Sequence, residues 1–461
     1  MSRKLWERWL VLPGVAWNLR AEVLGGLTTW IACAYIVVVN PAILSFAGIP
    51  PGPSAVATAL TAALGTLLMG LVAKRPYAVA PYMGENAFIA FGLAAFHITW
   101  QQRLGAVFLS GLLFLILTLV GLRARLAEAI SRSLKSAFAV AIGLFLIEIG
   151  LYQAGIIASA VEGLPVSALP LGPHGSVGSP SVPLKLGDWS RPAVTLSFLG
   201  FGVTWWLVSR RIPGGLLLGM LPTAAVALGL GFVEWPERFV DVPFRGELSL
   251  EPIAFQLEFS GLLRMEMVAV LLTLALMGFL DTLGTLMALG AASGELDAEG
   301  RLPGIERPMA VDAAASMLAA LLGTSTTGAY IESAAGIREG ARTGIAAMVT
   351  AAGFLFLLLF VPVAAFLQSM PYVYGPALVV VGILMLEAAK GVEFEDLSEL
   401  LPAVTAVVLT VFTYNIANGL AAALLLAPFA KAAAGRLREV KLAAWVLAGL
   451  ASSYFLFGIR H

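Results

Sequence analysis

The sequence predicts an all-α polytopic membrane protein with fourteen transmembrane segments. Of its 461 residues, 59% are hydrophobic and only 12% are charged, whereas a soluble domain carries roughly 25% charged residues. Apolar runs near the roughly 20 residues that a helix needs to cross a bilayer recur from Leu24 to the end of the chain. The short alternating segments of a membrane β-barrel are not seen, so helices are the expected way of satisfying the backbone in lipid.

The predicted segments follow the chain in order. They are 22–45, 54–73, 78–98, 104–122, 134–157, 192–209, 213–232, 264–290, 308–323, 328–340, 344–369, 373–389, 399–414 and 416–434. The third and tenth are interrupted by Pro, Gly or Thr. A further apolar run, 442–458, fits either a fifteenth segment or an interfacial helix. Residues 1–21 mix charges with tryptophans and are expected to lie on the membrane surface.

Basic residues support this count and suggest an orientation. With the N-terminus in the cytoplasm, 21 of the 28 Lys and Arg residues fall on the inner side and six on the outer side. This asymmetry follows the positive-inside rule. Two longer polar stretches, 158–191 and 233–263, then lie outside and separate groups of helices.

Composition argues against several other classes of protein. The single cysteine, Cys33, excludes a disulfide framework and a thiolate metal site. The three histidines, His97, His174 and His461, are too far apart to suggest a ligand cluster. The formal net charge is zero, so nothing points to nucleic acid. With no visible nucleophile and base pair, we expect neither an enzyme nor a cofactor or metal site.

Two stretches of the chain resemble each other. AVATALTAALGTLLMG (55–70) leads through VAPYMG to Glu85, Asn86 and Ala87, and AVDAAASMLAALLGTSTTG (310–328) leads to Glu332, Ser333 and Ala334. The copies lie at segments three and ten, and an odd spacing of seven segments gives the two repeats opposite orientations. This pattern is typical of an inverted-repeat transporter, whose site lies at the midplane between discontinuous helices.

Acidic residues inside the segments are the candidate functional groups. A carboxylate at the bilayer centre costs on the order of 3 kcal/mol by insertion scales, so it usually faces a cavity or a partner. Asp281 and Glu332 are expected to line the transport site, Glu85 with Asn86 to lie near it, and Asp312 to act there or in helix packing. Thr324, Ser325, Thr326 and Thr327 are expected to satisfy an unwound backbone, and some could contact substrate.

These carboxylates allow three kinds of chemistry. They could bind a metal cation, relay protons, or accept hydrogen bonds from a neutral solute rich in N–H groups. No basic residue lies deep in a segment, which argues against an anionic substrate.

Several stretches together resemble a known family. They are AYIVVVNPAILSFAG (34–48), APYMGENAFIAF (80–91), GAVFLSGLLFLILTLVGLRARLAEAI (105–130), SLKSAFAVAIGLFLIEIGLYQAGI (133–156), LDTLGTLMALG (280–290), LLGTSTTGAYIESAAGIREGARTG (321–344) and LTVFTYNIANGLA (409–421). They cover nearly the whole chain. On them the sequence is identified as resembling the AzgA-like purine permeases of the nucleobase/ascorbate transporter (xanthine/uracil permease) superfamily.

The resemblance implies a fold and an activity. It implies two inverted repeats of seven segments, with a core domain (22–123 and 264–370) and a gate domain (124–232 and 371–435). An outer loop (233–263) and an apolar tail (436–461) complete the chain. It also implies uptake of purine bases coupled to a cation, the proton first and sodium left open, by an elevator motion. A homodimer in the plasma membrane would be usual.

The resemblance also implies roles for individual residues. Asp281 and Glu332 match the acids that hold the base, and Asn86 and Thr285 match polar positions near it. The full set of substrate-binding candidates is Asp281, Glu332, Glu85, Asn86, Thr285, Ser333 and Thr327. The proton-coupling candidates are Asp281, Glu332, Glu85 and Asp312.

Two positions depart from the family pattern. Many members have a second aspartate three residues before the one matching Asp281, where this chain has Gly278. Many also have an apolar residue where this chain has Glu85. We hypothesise that Glu85 takes over part of the role of the missing acid.

The sequence does not indicate which base is preferred or which conformation the protein adopts at rest. A sulfate or bicarbonate transporter on the same architecture is the main alternative.

Overall fold

The computed structural model describes residues 7, 9–96, 98–121, 130–162, 184–297 and 301–457. The predicted surface segment 1–21 and the loop 158–191 fall partly outside these ranges. His97, His174 and His461 fall wholly outside them.

The first half of the chain is a series of helices interrupted by short strands. Its elements are α1 (Leu19–Cys33), α2 (Ile36–Leu44), α3 (Pro51–Leu68), β1 (Val79–Pro81), α4 (Met83–Ala90), α5 (Trp100–Leu119), α6 (Arg132–Gln153), β2 (Ile157–Ser159), β3 (Leu184–Leu186), α7 (Pro192–Ser209) and α8 (Gly215–Gly229). Side chains that cap free amides set several helix starts. Asn18 caps α1, Thr99 and Gln102 form a capping box on α5, and Ser131 caps α6.

The second half repeats this pattern. Its elements are α9 (Met265–Ser293), α10 (Glu306–Leu322), β4 (Thr327–Ala329), α11 (Ser333–Arg338), α12 (Gly344–Leu357), α13 (Val361–Gln368), α14 (Pro371–Met385), α15 (Leu397–Phe412), α16 (Ile416–Ala433) and α17 (Leu442–Phe457). Helix α10 ends at Gly323, whose φ of 93° is left-handed, as is common after a helix C-terminus.

The helices have the length and composition of a multi-pass membrane protein. Within the described ranges, nine are long and apolar enough to cross a bilayer, counting joined pieces as one. Three more apolar helices are shorter: Gly215–Gly229, Leu397–Phe412 and Leu442–Leu456. The third and tenth predicted segments are not continuous helices, since each consists of a three-residue strand and a short helix. The Pro, Gly and Thr residues in these two segments therefore interrupt the helices, as the sequence indicated.

Strands β1 and β4 pair with each other where the two interrupted segments meet. The pairing is antiparallel, with Ala80 opposite Gly328 at its centre. On either side the Tyr82 amide donates to Thr326 O at 3.0 Å, and the Tyr330 amide donates to Ala78 O at 2.9 Å. A two-fold rotation about the Ala80–Gly328 pair places each of these two hydrogen bonds on the position of the other. The segments are therefore related by a local two-fold axis.

Buried hydroxyls hold both strands in matching ways. The Val79 amide donates to Thr66 Oγ1 at 2.9 Å, and this hydroxyl donates to Val79 O at 3.2 Å. In the other copy, the Thr327 amide donates to Ser316 Oγ at 3.0 Å, and this hydroxyl donates to Thr327 O at 2.9 Å. Each strand is thus fixed to the helix that precedes it, α3 or α10.

The strand pairing corrects the alignment of the two stretches by one residue. Since Ala80 is equivalent to Gly328, Glu85 is equivalent to Ser333 and not to Glu332. Glu332 is equivalent to Gly84. The two glutamates therefore occupy different positions relative to the local axis.

A second symmetric contact joins α6 to α14. A Cβ added to Gly143 would lie 2.8 Å from Gly382 O, and one added to Gly382 would lie 2.4 Å from Gly143 O. Gly150 and Gly375 approach each other in the same way, at 2.7 and 2.9 Å. These glycines allow the two antiparallel helices to pack backbone against backbone.

The helices divide into two packed groups. In the first, α5 and α3 pack on α10, α9 packs on α5, and α1 and α3 pack on α12. In the second, α6 packs on α14 and α15, and α7 packs on α8 and α14. The cavity described below lies between the groups.

We expect the substitution Thr66→Val to destabilise the protein by about 1–3 kcal/mol, because it removes the hydroxyl that bonds both backbone groups of Val79. Thr61→Val is the matched control. Thr61 is also fully buried in α3, but its hydroxyl has no hydrogen-bond partner among the described residues. Thermal unfolding in detergent measures both. Equal midpoints for the two variants would show that the Thr66 bonds do not stabilise the crossing.

Candidate functional site

A large cavity lies between the two helix groups. Its volume is about 1380 Å³. Most of its lining is apolar and comes from both groups, including Phe138 and Ile142 of α6, Met277 of α9, and Val381 and Leu384 of α14. A few polar groups in such a wall are typical of a small-molecule site.

Two of the predicted acids line this cavity together. Asp281 lies in the middle of α9, and Glu332 comes immediately before α11. They interact electrostatically, and Thr285, one turn beyond Asp281, also lines the cavity. The Tyr35 hydroxyl donates to Glu332 Oε1 at 2.7 Å, which fixes one carboxylate oxygen and leaves Oε2 for other donors.

Four cationic side chains line the same cavity. They are Arg132, Lys135, Arg211 and Arg338. The sequence places all four on the inner side of the membrane, so the side on which they lie is the one predicted to be cytoplasmic.

Glu85 lies outside the cavity lining. Its side chain is buried, with 1% of its surface exposed. A Cβ added to Gly278 would lie 3.5 Å from Glu85 Oε1. The Glu85 carboxylate therefore occupies the space beside α9 that a side chain at position 278 would enter.

Asn86 belongs to a buried polar network centred on Asn40. Asn86 Nδ2 donates to Asn40 Oδ1 at 2.8 Å, and Ser325 Oγ donates to the same oxygen at 3.1 Å. Asn40 Nδ2 donates to Thr58 at 2.7 Å and to Thr324 at 2.8 Å. This network connects α2, α3, α4 and the unwound segment after α10. Asn86 therefore contacts this framework and does not line the cavity.

The remaining candidates also support the backbone. Ser333 Oγ accepts a hydrogen bond from the Ala78 amide at 2.9 Å, and Asp312 Oδ2 accepts one from the Ala329 amide at 2.9 Å. The backbone amide of Thr327 donates a hydrogen bond to Ser316 Oγ. None of these three side chains lines the cavity. Only Asp281, Glu332 and Thr285 of the seven substrate-binding candidates do so.

Sequence reasoning missed two structural roles. Tyr35 fixes Glu332 although 297 positions separate them, and its only signal was a phenol in an apolar run. Asn40 joins four segments through its side-chain amide, a role that no pattern in the sequence indicated.

The arrangement can bind a neutral polar solute. Its two carboxylates offer acceptor oxygens in a mostly apolar cavity, and a group that donates N–H bonds to both would be oriented by them. No set of three or more His, Cys, Asp or Glu within the described ranges is arranged to hold a metal ion.

Comparisons with known proteins show that the chain is similar to permeases. The family model Xan_ur_permease, described as a permease family, matches residues 20–422. The putative permease MJ0326 of Methanocaldococcus jannaschii is 38% identical over 458 residues, covering 99% of each chain. The guanine/hypoxanthine permease PbuO of Bacillus subtilis is 33% identical, covering 92% of this chain and 94% of that protein. The adenine permease AdeQ of Escherichia coli is 32% identical, covering 96% and 94%.

Solved structures show the fold. The transmembrane domain of the cyanobacterial bicarbonate transporter BicA superposes with a TM-score of 0.60 at 17% identity, covering 88% of this chain and 97% of that domain. The murine anion transporter Slc26a9, in its inward-facing state, gives 0.60 at 13% identity, covering 91% and 70%.

We expect a Gly284→Cys variant to react with a membrane-impermeant thiol reagent applied from the side that carries Arg338. A side chain at Gly284 would point into open space in the cavity, and the native Cys33 is fully buried. Leu286→Cys, on the buried face of the same helix, is the matched control and should stay unmodified. Equal labelling at both positions, or labelling of Gly284→Cys only from the opposite side, would contradict this geometry.

Proposed function

This chain belongs to the permease family that its sequence matches, and from that membership we propose that it is a secondary active transporter that imports nucleobases. Purines are the proposed class, because the relatives at 32–35% identity include guanine/hypoxanthine and adenine permeases. The observation that carries the proposal is that Asp281 and Glu332 line one cavity.

These two acids suit a purine base. Purine bases present ring N–H groups in the plane of the ring, and guanine and adenine add an exocyclic amino group. Carboxylates accept hydrogen bonds from such donors. Bonds to a charged acceptor contribute more than neutral ones, about 1.5–3 kcal/mol each. The apolar cavity wall would cover the faces of the ring.

We propose a motion of a core domain against a gate domain. The core comprises residues 22–123 and 264–370, and the gate comprises 124–232 and 371–435. The strand pairing joins the two halves of the core, and the Gly143–Gly382 and Gly150–Gly375 contacts join those of the gate. In each proposed domain, a symmetric contact thus joins the part from the first half of the chain to the part from the second half. These contacts support the proposal of fourteen segments in two inverted repeats of seven.

We propose a plasma-membrane protein with its N-terminus in the cytoplasm. Because basic residues favour the cytoplasmic side, the cations that line the cavity support a state in which the cavity faces inward. Import would then release the base into the cytoplasm, where the cell uses it.

We propose a homodimer as the assembly. The coupling ion is a cation, with the proton as the first candidate at Asp281 and Glu332.

An anion transporter is the alternative that the similar folds suggest. An anion bound next to Asp281 and Glu332 would be repelled by both carboxylates, although cationic side chains also line the cavity. Glu332 and Asp281 therefore favour the nucleobase.

We expect the variants Asp281→Asn and Glu332→Gln to weaken purine binding roughly 10- to 100-fold, since each loses one charged acceptor of about 1.5–3 kcal/mol. Thermal shift of the purified protein measures this, with purines, pyrimidines, ascorbate and small anions as the ligands. Glu148→Gln is the matched control, because Glu148 is a glutamate in α6 that does not line the cavity. Wild-type affinity in both acid variants, or a response to anions alone, would reject the nucleobase.

We also expect that a carboxylate at position 278 can replace the one at position 85. Uptake should be lost in Glu85→Ala and recovered in the double variant Glu85→Ala with Gly278→Asp, because both side chains reach the same space. Glu85→Ala with Gly284→Asp is the control, since it adds an acid elsewhere on α9. Normal uptake and pH dependence in Glu85→Gln would show that this carboxylate has no role. Recovery by the Gly284 control would show that its position is unimportant.

A further inference from the structure

Several buried oxygen atoms around Glu85 have no hydrogen-bond partner among the residues that the structure describes. Both carboxylate oxygens of Glu85 are among them, with Oδ1 of Asp312 and the hydroxyl of Thr326. The three side chains are 1%, 0% and 4% exposed. Unsatisfied polar groups at this depth cost about 1–3 kcal/mol each and more when charged, so a native protein rarely leaves several together.

These side chains form one electrostatic cluster. Glu85 interacts with the charges of Asp281 and Asp312 and lies close enough to interact with the Thr326 hydroxyl, although no bond of ordinary geometry joins them. The charged groups that act on Glu85 are thus acids. Buried acids without a compensating positive charge repel one another and are unstable as anions.

The chemistry of this cluster fits a small monovalent cation. Its groups are two carboxylates and a hydroxyl, all oxygen donors of the kind that hard cations prefer. A proton would give a donor to one oxygen only, whereas a sodium ion contacts several oxygens at once.

We propose that Glu85, Asp312 and Thr326 bind a sodium ion beside the substrate cavity. The ion lies next to the unwound segment between α10 and β4, the kind of backbone that holds coupling ions in inverted-repeat transporters. This inference rests on the proposed function and revises the expectation that the chain has no metal site.

The position of Glu85 explains how the ion would act on transport. Glu85 lies against Gly278, one turn before Asp281 on α9, and the two acids interact. A bound sodium ion offsets the repulsion that Glu85 exerts on Asp281 and so favours an ionised Asp281 that accepts hydrogen bonds from the base. By linkage, the base then strengthens sodium binding by the same factor.

Thermal unfolding of the purified full-length protein, without nucleobase, tests the site. Midpoints are compared in NaCl, KCl and choline chloride at equal ionic strength. We expect a saturable rise with sodium alone in the wild type and in Glu148→Gln, whose glutamate also has an unpartnered buried oxygen. Glu85→Gln should lose the rise. Thr326→Val, which keeps the shape and backbone bonds of Thr326, should need at least tenfold more sodium.

The outcomes separate the ion site from the transporter. Equal midpoints in sodium and potassium, or a sodium response retained in Glu85→Gln, would overturn the site. A response to pH in place of sodium would assign the cluster to the proton and overturn it as well. Purine binding in either case would leave the proposed function standing. A sodium response without binding of any nucleobase would keep the site and reject that function.

Discussion

The pairing of β1 with β4 is the constraint on which the rest of the structure depends. Two helices are interrupted inside the membrane region, and their free backbone groups must find partners in a medium without water. They find them in each other and in the hydroxyls of Thr66 and Ser316. Because the bonds are reciprocal, neither interrupted segment can form without the other. The two distant parts of the chain are thereby fixed at one point, and α4 and α11 start from it.

The register of this pairing gives the two glutamates different surroundings. With Ala80 opposite Gly328, Glu332 lies one residue before the position equivalent to Glu85. It reaches the cavity and the Tyr35 hydroxyl, whereas Glu85 faces α9 at Gly278. A Cβ added at Gly278 would lie in ordinary contact with this carboxylate, 3.5 Å from Glu85 Oε1. Symmetry of the backbone therefore coexists with asymmetry of function, since a single asymmetric solute needs unlike groups on its two sides.

Sequence patterns predicted much of the fold, for identifiable reasons. Runs of apolar residues locate the helices, and Pro, Gly and Thr in 78–81 and 323–328 locate the two interruptions. Asp281 and Glu332 were predicted as cavity residues because isolated acids in apolar runs are costly, and the structure places both in its wall. The strand pairing could not be predicted, because three residues carry no alternating pattern. Tyr35 was missed because Glu332 is 297 positions away, and Asn40 because two of its partners, Thr324 and Ser325, are 284 and 285 positions away.

The charge balance of the core links binding to coupling. Asp281, Glu332, Glu85 and Asp312 lie in one region, while the cations Arg132, Lys135, Arg211 and Arg338 line the cavity on the side predicted to face the cytoplasm. A core with four acids cannot cross the membrane field fully ionised without a large electrostatic cost. On the proposals above, positive charge bound at Glu85 would reduce that cost, and a base that donates hydrogen bonds would stabilise the acids in the cavity. The proposed movement would then be easiest with both ion and base bound, which is the energetic requirement of a symporter.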